Sequence, residues 1–149
     1  MFWPIFGIGV MMGAALASRV RGPGDQRLRL GACYFVQALG ILTGLWSPTP
    51  AGFAIGSLLL GLPFTAITFF ALQEARRLRP ASPSGLIGLI TALYGLGQIV
   101  GPPLATALLA RSADTTRGFA ASLEIAAGAL LLGAVVFALM SRLYPVTGR

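Results

Sequence analysis

Gly88-Leu89-Ile90-Thr91-Ala92-Leu93-Tyr94-Gly95-Leu96-Gly97-Gln98-Ile99-Val100-Gly101-Pro102-Pro103-Leu104-Ala105 carries no charge from end to end. It sits inside a longer uncharged run from Gly85 to Ala110. A helix needs about 20 apolar residues to cross the hydrocarbon core of a bilayer. Lipid offers the backbone no hydrogen bonds, so such a run must be a helix or a strand of a closed barrel. This run is too long and alternates too poorly for a barrel strand. Four more runs of the same kind stand around it, at Phe2–Ser18, Leu30–Trp46, Ala51–Gln73 and Gly118–Ser141. In chain order these are segments A, B, C and E, with the quoted stretch inside segment D. The reading is all-α: a polytopic integral membrane protein of five transmembrane helices, over about 2–18, 30–46, 51–73, 85–110 and 118–141. They form a single membrane domain, 1–149.

Composition agrees. The 149 residues are 56% hydrophobic and 10% charged, against about 25% charged in a soluble domain. Mean hydropathy is +0.82. Fifteen charged side chains cannot cover the surface of so small a globule in water, so lipid must solvate most of it. The sequence has no histidine, which removes Ser-His and Cys-His catalysis and histidine-ligated metal sites. Its single cysteine, Cys33, can form neither an intrachain disulfide nor a cysteine cluster. No phosphate-binding loop, paired carboxylates or metal-ligand cluster appears, so no enzyme, cofactor or metal is expected. All the basic residues are arginines. Lysine is absent beside abundant Ala and Gly, which fits a GC-rich bacterial genome and the bacterial cytoplasmic (inner) membrane.

The net charge of +7 does not point to nucleic acid, because the arginines fall in clusters between the apolar runs. The A–B turn holds Arg19, Arg21, Arg27 and Arg29, and the C–D turn Arg76, Arg77 and Arg79. With Arg142 and Arg149 in the tail, one side carries nine arginines; the other carries Arg111 and Arg117. Arginine-rich loops stay in the cytoplasm, which predicts the N-terminus outside and the C-terminus inside. The turns between segments are short, and Ser47-Pro48-Thr49-Pro50 has two helix stoppers. Neighbours in sequence are therefore expected to pack as antiparallel neighbours. The chain opens directly on an apolar run with no basic leader, which disfavours a signal peptide cut after Ala15-Leu16-Ala17. The expectation instead is the back part of something larger.

On segment D, Gly97 and Gly101 share a helix face that would let another helix come close, with Gly88 earlier on the same segment. Pro102 and Pro103 remove two backbone donors and should bend it. Together they predict a packing face and a pivot. Tight packing of membrane helices is the plainer account of any one glycine pair.

The longer pattern, Gly88-x8-Gly97-x3-Gly101-Pro102-x2-Ala105, resembles a late helix of a major facilitator superfamily transporter. The A–B turn is similar to the basic cytoplasmic turn of that family, Gly-x3-Asp-Arg-x-Gly-Arg-Arg. Here it reads Ala14-Ala15-Leu16-Ala17-Ser18-Arg19-Val20-Arg21. Alanine stands for the glycine and serine for the aspartate; Arg19 and the basic character of Arg21 remain. The resemblance implies twelve helices in two six-helix halves and transport of a small solute by alternating access. The five segments would match helices eight to twelve of an uncharacterised bacterial member, part of one half-bundle; helices two to six share the topology and are the other register. The partners implied are the bilayer, the remaining N-terminal helices and a small-molecule substrate.

In that frame segment C is the tenth helix and lines the cavity, and segment D is the eleventh. On segment C, Ser57, Gly61, Thr65 and Thr68 form one small and polar stripe, with Pro63 beside it. On segment D, Thr91, Tyr94 and Gln98 do the same. Thr65, Thr68, Thr91, Tyr94 and Gln98 are therefore the substrate-cavity candidates, although such hydroxyls often bond only their own helix. Phe64, Phe69 and Phe70 are read as packing or lipid-facing. Glu124 lies inside segment E and is a candidate proton-coupling site; pairing with Arg117 is the structural alternative. Glu74 is expected to pair with Arg77 at i,i+3. A stand-alone five-helix scaffold or accessory subunit is the competing class, and the reading frame upstream of Met1 separates the two.

Overall fold

The computed structural model describes residues 2–20, 24–112 and 114–145. Five helices account for nearly all of them: α1 (Trp3–Arg19), α2 (Gln26–Trp46), α3 (Pro50–Leu78), α4 (Ser84–Arg111) and α5 (Thr115–Leu143). Three run past their apolar segments because polar residues cap or extend them. Asp25 accepts from Arg27 N and starts α2 four residues before the apolar run. Thr49 accepts from Gly52 N and starts α3. Asp114 accepts from Thr116 N and starts α5. Each satisfies one backbone donor that a helix start leaves open. Helix α3 stays helical through Pro63, and α4 through Pro102 and Pro103.

Helices α2, α3, α4 and α5 are each long and apolar enough to cross a membrane. Helix α1 has 17 residues, about 26 Å at 1.5 Å per residue. Large apolar side chains such as Met11, Phe35, Ile99 and Leu132 point outward, as lipid-solvated helices require.

The packing order departs from the chain order. Helix α3 lies between α1 and α2 and touches both, α2 also packs on α5, and α5 on α4. Among the described residues α1 and α2 do not meet, and α3 barely reaches α4. The expectation that sequence neighbours pack together therefore fails for these two pairs. Glycine explains it. A Cβ on Gly40 of α2 would lie 3.0 Å from the Gly56 carbonyl of α3 and 2.9 Å from the Leu60 nitrogen. A Cβ on Gly9 of α1 would lie 2.7 Å from the Leu58 carbonyl. Gly13 and Gly61 are closer still, against Leu62 O and Phe6 O. Helix α3 thus admits a partner backbone on each of two flanks. The core between them is small: Ala17, Leu30, Ala66 and Phe70, with Cys33, Ile67, Ala71 and Phe137 against it.

The close-contact face predicted on segment D is met by none of the described residues. No atom lies within 4 Å of a Cβ built on Gly88, Gly97 or Gly101, and no residue of α4 is buried. Helix α4 leans on α5 near Gly118, where a Cβ would meet Leu109 Cα at 2.9 Å, so its small-residue face looks away from the bundle.

Candidate substrate groove and polar clamp

Helices α1 and α3, pressed together by their glycines, leave a groove along one flank. One hollow of it, about 410 Å³, is lined by Ala14, Ala17 and Ser18 of α1 and by Phe64, Thr65, Thr68, Phe69 and Leu72 of α3. Two sequence-predicted residues, Thr65 and Thr68, therefore meet in one hollow. Thr65 Oγ1 donates to the Val10 carbonyl of α1 at 3.4 Å, tying the two walls together. Thr68 is exposed to the groove. Ser18, which occupies the aspartate position of the basic turn, donates to Ala15 O at 2.9 Å within its own helix. Phe64 and Phe69 line the hollow, whereas Phe70 belongs to the core. Reading all three as packing or lipid-facing missed that difference, which depends on where α1 sits.

The α4 candidates stand elsewhere. Thr91 Oγ1 donates to Ile87 O at 2.9 Å, four residues back in its own helix. Gln98 Nε2 donates to Tyr94 Oη at 2.9 Å. All three are exposed, and none lines the α1–α3 groove. They share the uncovered surface of α4 with Gly88, Gly97, Gly101 and Pro102. Glu124 is exposed on α5. The described residues form two ion pairs, Asp25–Arg27 and Glu74–Arg77, so the alternative pairing of Glu124 with Arg117 is not made. Arg19 ends α1 and is exposed; Arg21 lies outside the described residues.

At the arginine-rich end the structure builds a clamp that sequence reading left inside a loop. Arg27 Nε donates to Asp25 Oδ1 at 2.8 Å and its terminal nitrogen to Asp25 Oδ2 at 2.7 Å. The same guanidinium donates to Met140 O at 3.0 Å and Tyr144 O at 2.7 Å. It thereby satisfies carbonyls that the end of α5 leaves open and complements the negative end of that helix. Arg27 is 6% exposed, a burial a guanidinium tolerates only when paired. Its hydrogen bond to the Asp25 carboxylate holds that group below the usual carboxylate range. Gln26 Nε2 donates to Gln73 Oε1 at 2.8 Å, joining α2 to α3. Arg77 Nε donates to Glu74 Oε2 at 2.7 Å, the expected i,i+3 pair. The signal for the clamp was Asp25-x-Arg27 directly before an apolar run, an N-cap followed by a cation.

The described residues hold no group of three or more His, Cys, Asp or Glu that could bind a metal ion. What the groove offers is shape, aromatic edges and hydroxyls. A family model described as "Uncharacterised MFS-type transporter YbfB" matches residues 1–138. No curated protein and no solved structure matches the chain.

Proposed function

The chain belongs to the major facilitator superfamily, in the family of uncharacterised YbfB-type transporters, and from that premise we propose that it forms one wall of a secondary active transporter. The wall belongs to a bundle that moves a small solute by alternating access about a site near mid-membrane. All five helices cross the bilayer, α1 at the short limit of length. The nine-to-two arginine asymmetry orients them with the N-terminus outside and the C-terminus in the cytoplasm of a bacterium. They stand as helices eight to twelve, with α3 as the cavity-lining tenth and α4 as the eleventh.

The observation that carries this reading is the α1–α3 groove, where Thr65 and Thr68 face a hollow of about 410 Å³ with no ionisable lining residue. The uncovered α4 supports it. A polar pair (Tyr94 and Gln98) and three open glycines on one helix are costly to leave against lipid, and the remaining transporter helices would cover them. Pro102 then bends α4 beside that contact and serves as its pivot. Glu124, a carboxylate with no ion pair or hydrogen bond among the described residues, is the proton-coupling site.

Reconstitution tests the proposal. The five-helix chain alone in liposomes should give no solute accumulation, and co-reconstitution with the preceding helices of the same transporter should restore it. Robust uptake by the five helices alone refutes the partial-bundle reading. No uptake by the completed bundle for any solute class refutes transport.

A further inference from the structure

The groove between α1 and α3 continues beyond Thr65 and Thr68. Toward the start of α1 a second hollow, about 500 Å³, is lined by Phe2, Trp3, Phe6, Ser57 and Leu60. The lining positions of the two hollows follow helical spacing. On α3 they step through 57, 60, 64 and 68, and on α1 through 3, 6, 14 and 17. Residues three and four apart share a helix face, so both hollows lie on the same flank and form one track along the helix pair. Phe6 of one hollow and Phe64 of the other meet edge to face, with ring centroids 5.6 Å apart.

The chemistry of the track is narrow. No ionisable residue lines either hollow. Among its hydroxyls, Thr65 and Ser18 already donate to backbone carbonyls. Ser57 and Thr68 make no side-chain hydrogen bond among the described residues, which leaves two free hydroxyls for a ligand. A charged solute on this wall would be desolvated without a counter-charge. A sugar would bring more hydroxyls than two threonine-type groups can satisfy. Aromatic rings, in contrast, are met by Trp3, Phe6, Phe64 and Phe69 in the edge-to-face and offset geometries they favour.

We propose that the α1–α3 track binds an uncharged aromatic solute carrying one or two hydroxyl-type groups, with its ring against Phe64 and its hydroxyl on Thr68. The inference rests on the transporter reading above and adds the class of solute to it.

Equilibrium binding tests it, using the full chain in lipid nanodiscs and four radiolabelled probes, with empty nanodiscs subtracted. The probes are 1-naphthol (neutral aromatic), benzoate (anionic aromatic), tetraphenylphosphonium (cationic aromatic) and xylose (neutral polar). Saturable binding of 1-naphthol is expected, weakened about tenfold by Phe64→Ala and severalfold by Thr68→Val. Phe119→Ala, at an exposed ring on α5, should leave it unchanged. Should Phe64→Ala fail to fold, Phe69→Leu takes its place. Preference for benzoate, tetraphenylphosphonium or xylose overturns the proposal. So does 1-naphthol binding that survives the groove substitutions, or no saturable binding by any probe. Downhill flux through the completed bundle separates the two ideas. If 1-naphthol binds as stated but does not cross, transport falls and the solute class stands. If xylose crosses instead, transport stands and the class falls.

Discussion

Gly40→Ala and Gly101→Ala should act in opposite directions. A methyl on Gly40 would be 2.9 Å from Leu60 N, 3.0 Å from Gly56 O and 3.1 Å from Leu59 Cβ. Two of those atoms are backbone of a packed helix and cannot swing aside. Overpacking of this kind costs about 1–3 kcal/mol, partly offset by the ~1 kcal/mol by which alanine exceeds glycine in helix propensity. The net loss is up to about 2 kcal/mol. A methyl on Gly101 meets nothing within 4 Å, so that variant keeps only the propensity gain, up to ~1 kcal/mol. For a chain of this length each kcal/mol moves the melting temperature by roughly 2–4 °C. The propensity gain is common to both variants, so the overpacking cost alone separates them, and Gly40→Ala should melt roughly 2–12 °C below Gly101→Ala. Cys33 supplies the assay. It is the sole thiol and packs against the core, so a thiol-reactive dye in detergent reports unfolding. Equal melting of the two variants, or a loss in Gly101→Ala as large as in Gly40→Ala, would refute the assignment of α3 as the site of close packing.

Other outcomes follow from the clamp and the charges. Arg27→Met strands Asp25 and frees two α5 carbonyls, and should cost about 3–5 kcal/mol, the range for breaking a buried ion pair. Because Arg27 depresses the Asp25 carboxyl, their pairing is fully present above the unfolded value of about 4 and is lost as pH falls through the lower folded value. Wild-type melting should hold steady from pH 7 to 5 and fall only in stronger acid; a fall beginning above pH 5 contradicts this. In cells, a thiol introduced by Arg79→Cys in a Cys33→Ala background, at an exposed position of the arginine-rich C–D turn, should react with an impermeant reagent in inside-out vesicles and not from outside intact cells, and the reverse labelling overturns the orientation. Glu124→Gln should leave the melting temperature unchanged, since no ion pair is lost, and should abolish the response of solute uptake to a pH gradient. Retained gradient-driven uptake removes Glu124 from coupling.

Five helices were legible from apolar runs alone, because lipid dictates both length and hydrophobicity. Their ends were less so. Asp25, Thr49 and Asp114 cap helices that run into polar sequence, and hydropathy discards such turns. Glycine faces were legible as faces but not as contacts. Gly97-x3-Gly101 and Gly9-x3-Gly13 look equally able to pack, and only the second is filled. Sequence spacing fixes which side of a helix is small, whereas the neighbour that arrives there depends on the whole bundle. Thr65 and Thr68, one stripe in the sequence, share one hollow in the structure. Ser57 belongs to the same stripe without being carried into the cavity set, and Phe64 and Phe69 read as packing or lipid-facing, because an aromatic ring beside lipid and one lining a hollow have the same signature along the chain. Arg27 escaped because a cation near a charged turn reads as a topology signal, and its carbonyl partners lie more than a hundred residues away.

The two glycine-lined flanks of α3 also have a mechanical meaning. A helix gripped backbone to backbone on both sides has no soft side-chain layer in which to slip, so a push on α1 is handed to α2 almost undiminished. Helices α1, α2 and α3 must then tilt together as a plate, and the clamp at Arg27 bolts the end of α5 to it. Helix α4 is attached mainly along α5, has two adjacent prolines and has no buried side chain. The compliance of the bundle is therefore concentrated in that one helix, and the plate acts as its lever.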